Sequence, residues 1–227
     1  MYKEAIEDYL KAIYNIQQEN GKVATTTLAK KMSIAPASAT GMIKRLSDLK
    51  LVTYEKYQGV KLTRSGEQIA LEVIRHHRLI ELFLAEALGL PWDKVHDEAE
   101  KWEHVLSDEV EERIDQLLGY PTRDPHGAPI PGRDGKMPEL NDVQLTDLIK
   151  GQQAAIVQVN SKNPELLRYL GSMALYPDTV LVVLEVAPFD GPVTIEVDGK
   201  QHILGRKVAE NIFVEISADG DGKHENQ

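Results

Sequence analysis

Apolar positions in the first third of the chain recur with helical spacing and then change to a strand-like run. Ile6, Tyr9, Leu10, Ile13 and Ile16 form a stripe over residues 4–18 that predicts an amphipathic helix, stopped by Asn20-Gly21. Thr26 stands where it can cap a short second helix carrying Leu28, Ala29 and Met32. After a break at Ser33-Ile34, Pro36 opens a third helix at a position where its missing N–H costs nothing. Ala39, Met42, Ile43, Leu46 and Leu49 line one face of that helix. The run VTYEKYQGVKLT holds two β-rich segments around Gln58-Gly59 and predicts a hairpin.

Helix, helix, short turn, helix and hairpin is the order of a winged helix-turn-helix. From Thr63 a long amphipathic helix is expected to about Leu88, a second from Pro91-Trp92 through VHDEAEKWEHVL, and a third from Ser107 with Val110, Ile114, Leu117 and Leu118. Helices this apolar could form a dimer seam as well as a core. Residues 119–140 hold five prolines and four glycines, which cannot continue a helix and mark a connector. Beyond it AAIVQV, TVLVVLEV, VTIEV, QHILG and IFVEI, with one short helix near 164–171, predict a small closed β-barrel. The tail after Ser217, ADGDGKHENQ, reads as disordered. The fold class is therefore mainly α with a β-barrel. The expected domains are a winged helix-turn-helix at 1–73, a helical domain at 74–140, a barrel at 141–217 and a tail at 218–227.

Charge divides the chain in the same place. The net charge of the 227 residues is −10, yet residues 1–75 carry a balance of +4 and the remainder −14. A solvated acidic surface is the plain reading of that surplus. The sharper one is a nucleic-acid-binding head on a body that gathers carboxylates for cations. There is no cysteine, which excludes disulfides, thiolate zinc sites and Cys nucleophiles. No apolar run approaches the roughly 20 residues of a membrane span, and MYKEAIEDYL has no signal-like apolar core. A cytoplasmic protein with no membrane partner is expected.

Two sets of residues carry chemistry. Ser38, Thr40, Gly41, Lys44 and Arg45 face away from the apolar stripe of the third helix, with Tyr57 at the hairpin tip. Small and hydroxyl side chains there would let the backbone approach phosphates and base edges of double-stranded DNA. A purely structural three-helix core is the alternative. In VHDEAEKWEHVLSDEVEE, His96, Glu100, Glu103 and His104 share one helical face or its border, and His77 and Glu81 form another i, i+4 pair. Clustered carboxylates with imidazoles suit a divalent metal. H-E-x-x-H and a Gly-rich phosphate loop are both missing, which speaks against a metal-dependent hydrolase and against any enzyme.

RHHRLIELFL, KVHDEAEKWEHVLSDEVEERI and DPHGAPIPG together resemble the diphtheria-toxin-repressor family of metal-dependent transcriptional repressors, over nearly the whole chain. The resemblance implies a homodimer that binds palindromic operators of metal-uptake genes, an SH3-like (FeoA-type) terminal barrel, and two metal sites per subunit. One would use His77, Glu81 and His96, with Glu165 the nearest candidate from the barrel. The other would use Asp8, Glu100, Glu103 and His104. Iron-responsive members carry Met and Cys where this chain has Asp8 and Glu100, as the manganese-responsive members do. Hard oxygen ligands suit Mn²⁺, with Fe²⁺ or Co²⁺ as substitutes. An iron- or broadly divalent-responsive repressor is the nearer alternative. Lys11 stands where some manganese repressors place a second acidic ligand, and Ala128 where Asn is common.

Overall fold

A computed structural model describes residues 2–55, 59–160 and 162–217. The chain divides into two compact units, residues 1–80, 99–120 and 130–138 in the first and 81–98, 121–129 and 139–227 in the second.

The first unit begins with α1 (Tyr2–Asn20), α2 (Thr25–Lys31) and α3 (Pro36–Asp48), followed by the antiparallel hairpin β1 (Val52–Glu55) and β2 (Gly59–Leu62). Tyr9, Leu10, Ile13 and Ile16 of α1 are buried with Leu28, Ile43, Leu46, Val52 and Val60, so the stripe expected from sequence is the core. Thr26 is not the cap of α2. The helix starts one residue earlier, and Ala24 occupies the cap position without a side-chain bond. Leu49 lies just past α3 and is exposed. The start of α4 (Arg64–Glu86) is tied down by Thr63, whose Oγ1 accepts from the Gly66 N–H at 3.2 Å and donates to the Leu51 carbonyl at 3.1 Å. A Cβ on Gly66 would fall 2.0 Å from the Leu51 oxygen, so this approach admits only glycine.

Helix α5 (Val95–Trp102) is shorter at both ends than its pattern suggests, with turns on either side, while α6 (Asp108–Leu117) starts one residue after the expected Ser107, which is its cap. Buried Arg75 of α4 joins the rest of the unit together. Its guanidinium donates to Glu111 at 2.6 Å, Asp115 at 2.5 Å and the Pro131 carbonyl at 2.9 Å. The part of the Pro/Gly segment in this unit, residues 130–138, is tied to α4 at Pro131 and is helix-free as its composition requires.

The second unit is built on a six-stranded antiparallel sheet of order β3-β8-β4-β5-β6-β7. Its strands are β3 (Val143–Gln144), β4 (Gln153–Val159), β5 (Val180–Val186), β6 (Val193–Val197), β7 (Lys200–Leu204) and β8 (Ile212–Ile216). Helix α7 (Pro164–Ser172), as expected, and a short α8 (Arg206–Ala209), not expected, cover it. Ile156, Leu167, Leu181, Val183, Ile195 and Val214 form its core. Two-residue β3 adds a sixth strand to the five read from sequence. Among the described residues no pairing of β3 with β7 closes the sheet into a barrel. The tail at 218–227 and Tyr57 lie outside the described residues.

Candidate metal centres and DNA-binding helix

In the first unit α1 meets the end of α5, and the meeting point is charged. His104 Nε2 lies 2.9 Å from Asp8 Oδ1 and 3.4 Å from Glu103 Oε1. Its other nitrogen, Nδ1, is 2.8 Å from Glu7 Oε2. An imidazole held at one nitrogen by a carboxylate has its second nitrogen aimed, which is the usual arrangement behind a metal-ligating histidine. Glu103 is fully buried and receives several donors. Its Oε2 is 2.5 Å from His77 Nδ1, and the Lys11 ammonium donates to both of its oxygens, at 2.7 and 2.9 Å. Lys11 also donates to Glu100 Oε1 at 2.7 Å.

The electrostatics follow from that packing. Burial alone would raise the Glu103 carboxyl, but hydrogen bonding to His77 and the Lys11 charge outweigh it and hold it below the usual range. Burial pushes the Asp8 carboxyl up, against the pull of His104 and Lys11. Burial also works against the Lys11 ammonium, yet Glu103 and Glu100 raise it above its ordinary value. Asp8, Glu103 and His104 each offer a donor atom, all within 4.8 Å of one another.

The second unit holds another such group, and sequence reading named only part of it. Glu81 and His96, both expected, are joined at 3.1 Å through His96 Nδ1 and Glu81 Oε1. Around the other Glu81 oxygen gather Asp124 and His126, and all three side chains are buried. His126 Nε2 lies 2.7 Å from the Trp92 carbonyl, so it carries the proton and leaves Nδ1 with its lone pair. That Nδ1 is buried, has no hydrogen-bond partner, and lies 3.9 Å from both Glu81 Oε2 and Asp124 Oδ1. Those distances are too long for hydrogen bonds and leave room for a cation between the three atoms.

The loop that presents His126 is self-locked. Asp124 Oδ1 accepts from the N–H groups of His126 and Ala128 at 2.8 and 2.9 Å. Gly127 sits at φ +87°, and a Cβ there would be 1.9 Å from the Val157 oxygen. The signal in the sequence was D-P-H-G-A, a turn-forming Asp and a Gly flanking a histidine. Glu7, Asp124 and His126 are the residues that sequence reasoning missed. Glu165 is exposed at the start of α7, where its N–H donates to the capping Asn163, and it stands outside this group. His77 Nδ1 lies 2.5 Å from Glu103 Oε2 and 3.8 Å from Glu100 Oε1.

On α3, Ala39, Ile43 and Leu46 are buried while Ser38, Gly41, Lys44 and Arg45 are exposed on the other side. Thr40 is half-buried, its hydroxyl donating to the Pro36 carbonyl at 2.9 Å. A Cβ on Gly41 would meet nothing within 4 Å, which leaves the backbone open to close approach.

A winged helix followed by carboxylate–imidazole donor sets defines a DNA-binding protein of metal-responsive type. Comparison with known proteins agrees along the chain. Residues 1–60 match the iron dependent repressor N-terminal DNA binding domain, 63–132 its metal binding and dimerisation domain, and 143–216 the FeoA domain. The iron-dependent repressor IdeR of Mycobacterium tuberculosis is 32% identical over 225 residues, covering 93% of this chain and 97% of that protein. The diphtheria toxin repressor of Corynebacterium jeikeium is 36% identical over 145 residues, 64% of this chain and 60% of its own length. A manganese-dependent transcriptional repressor solved with manganese superposes with a TM-score of 0.86 at 38% identity, covering 93% of this chain and 100% of that one. IdeR of T. acidophilum gives 0.75 at 28%, covering 93% and 97%. The chain belongs to the diphtheria-toxin-repressor family of metal-dependent transcriptional repressors, and it is not an enzyme. Among the described residues no helix is long and apolar enough to cross a membrane.

Proposed function

We propose that this repressor is a cytoplasmic homodimer activated by Mn²⁺, binding palindromic operators of metal-uptake genes. The donor chemistry carries the reading: carboxylate oxygens of Asp8 and Glu103 with His104 Nε2, and no sulfur ligand from cysteine anywhere in the chain. Such a hard set suits Mn²⁺, with Fe²⁺ and Co²⁺ as substitutes, whereas raw affinity alone would favour later metals. Glu81, Asp124 and His126 fit a second ion, because a buried imidazole nitrogen without a partner faces two buried carboxylates. The spacing of His77 and Glu81, one turn apart on α4, keeps His77 a further candidate ligand.

A bound divalent ion supplies the positive charge that neutralises these converging carboxylates. Asp8 belongs to α1, the first helix of the DNA-binding head, and Glu103 and His104 to the turn that directly follows α5. Holding Asp8 against His104 fixes α1, and with it the α3 face of Ser38, Thr40, Gly41, Lys44 and Arg45 that enters the major groove. Tyr57 would contact DNA from the wing. Exposed Trp102, Val105, Val110 and Leu117 supply apolar surface for the dimer seam.

Kinship to iron-dependent repressors over nearly the whole chain favours iron as the second reading. Anaerobic binding to genomic DNA fragments, titrated with Mn²⁺, Fe²⁺, Co²⁺ and Zn²⁺, separates the two. Mn²⁺ is expected to activate at physiological concentrations with Fe²⁺ weaker. Activation by Fe²⁺ alone would establish the iron reading, and binding indifferent to metal would refute both.

A further inference from the structure

We propose that Trp92, braced by Tyr176 of the FeoA domain, is the positioning residue of the metal centre in the second unit, holding the His126 ring so that Nδ1 faces Glu81 and Asp124. The inference rests on the reading that Glu81, Asp124 and His126 bind a divalent ion. Trp92 grips that imidazole twice. Its carbonyl accepts from His126 Nε2 at 2.7 Å, which places the ring proton away from the two carboxylates. Its indole stacks on the same ring, with centroids 5.7 Å apart and planes inclined by 26°. The hydrogen bond selects the tautomer, and the stack opposes the ring rotation that would swing Nδ1 off its line.

Trp92 stands in the turn between α4 and α5, where local structure alone would hold an indole loosely. The FeoA domain supplies the rigidity. Tyr176 packs on the indole with centroids 4.8 Å apart, and its hydroxyl donates to the Gly171 carbonyl of α7 at 3.3 Å. A Cβ on Gly171 would lie 3.0 Å from the Tyr176 hydroxyl oxygen and 3.3 Å from Trp92 Nε1, so the bare backbone there lets both rings sit close to α7. Asp93, the next residue, pairs with Arg168 of the same helix at 3.1 Å. The backbone of His126 is fixed to the same domain, its carbonyl accepting from the Val159 N–H of β4 at 2.8 Å. Ring and backbone of one ligand thus rest on the FeoA domain, the first through Trp92 and the second through β4. Packing alone does not require the indole to meet a buried imidazole whose other nitrogen is left without a partner.

The test is calorimetric titration of the full-length protein with Mn²⁺, in which the centre of Asp8, Glu103 and His104 serves as an internal reference. His126→Ala is expected to lose one ion, which assigns that ion to the second unit. Trp92→Ala is expected to weaken this ion alone by about tenfold, the lower end of the range for partners that orient ligands. Trp92→Phe, which keeps the carbonyl and a stacking ring, is expected to recover most of the loss. Tyr176→Ala, at an exposed position, should weaken the same ion in the same direction by less than about tenfold. Two-bond proton–nitrogen correlation spectra of the metal-free parent are expected to show His126 protonated at Nε2 and bare at Nδ1. His126 protonated at Nδ1, an unchanged affinity in folded Trp92→Ala, equal weakening of both ions, or no recovery in Trp92→Phe overturns the proposal. Should Trp92→Ala fail to fold, unchanged affinity in Tyr176→Ala overturns it equally. A parental ion count in His126→Ala instead refutes the underlying metal assignment, and the role of Trp92 with it.

Discussion

Glu7 Oε2 and His104 Nδ1 lie 2.8 Å apart although 97 residues separate them in sequence. The contact turns His104 Nε2 toward Asp8 and Glu103, so a carboxylate that need not touch metal decides where the imidazole points. Removing it with Glu7→Ala is expected to weaken Mn²⁺ binding by roughly 10–100-fold, the range typical of such orienting partners. Calorimetric titration measures the loss, and circular dichroism checks that α1 persists. Affinity unchanged from the parent would show that His104 needs no help to face the centre.

His126 is the corresponding probe of the second unit. His126→Ala removes the buried Nδ1 that faces Glu81 and Asp124. One Mn²⁺ ion is expected to disappear from the stoichiometry, and the rise in melting temperature on adding Mn²⁺ should shrink accordingly. A variant with the parent's ion count would remove this group from the metal sites.

The same loop offers a purely structural test. Gly127→Ala places a methyl group 1.9 Å from the Val157 oxygen at a backbone φ of +87°, so strain and overlap act together. A loss of more than about 2 kcal/mol is expected in chemical denaturation of the second unit. Stability within 0.5 kcal/mol of the parent, a value ordinary for surface substitutions, would mean that the loop can move aside.

Recognition is tested on α3. Ser38 is exposed and Thr40 half-buried beside it, away from the buried Ala39, Ile43 and Leu46. Replacing both with Glu brings two negative charges to the DNA phosphates and is expected to abolish binding at physiological salt. Metal stoichiometry should remain that of the parent. Intact DNA affinity in the double variant would take α3 out of the groove.

Acid stability depends on Glu111. Hydrogen bonding to His76 and to Arg75 lowers its carboxyl from the ordinary 4.5 to about 2. A carboxyl depressed in the folded state contributes stability above its unfolded value and loses it as pH falls through the folded one. Melting temperature is therefore expected to drop between pH 4.5 and 2, and to depend less on pH over that window in Glu111→Gln. Arg75→Ala, which takes the guanidinium from the buried Glu111 and Asp115 carboxylates and leaves them only His76 at 3.4 Å and Arg133 at 3.8 Å, should cost up to roughly 3–5 kcal/mol at neutral pH. Calorimetry across the pH series would contradict this account if the two curves ran parallel.

Much of the architecture was legible because its signals are local. A 3.6-residue stripe places Leu10, Ile13 and Ile16 on one face of α1 whatever that face packs against, and Pro36 and Ser107 mark helix starts through their own backbone chemistry. The strands of the second unit announced themselves through β-rich runs, except for β3, whose two residues are too few to show a period. Asp8, Glu103 and His104 could be named as one set only through resemblance to a family, since spacing relates residues within a helix and not between α1 and α5.

What the tertiary structure decided is which charges converge. It placed Glu7 behind His104, brought Asp124 and His126 to the buried oxygen of Glu81, and seated the Lys11 ammonium between Glu100 and Glu103. None of these follows from periodicity, because a carboxylate on a helix reads the same whether water, a lysine or an imidazole faces it. Burial makes the difference. Once Glu81, Glu103 and His126 leave water, each must find a partner, and only the folded chain determines which one lies within reach.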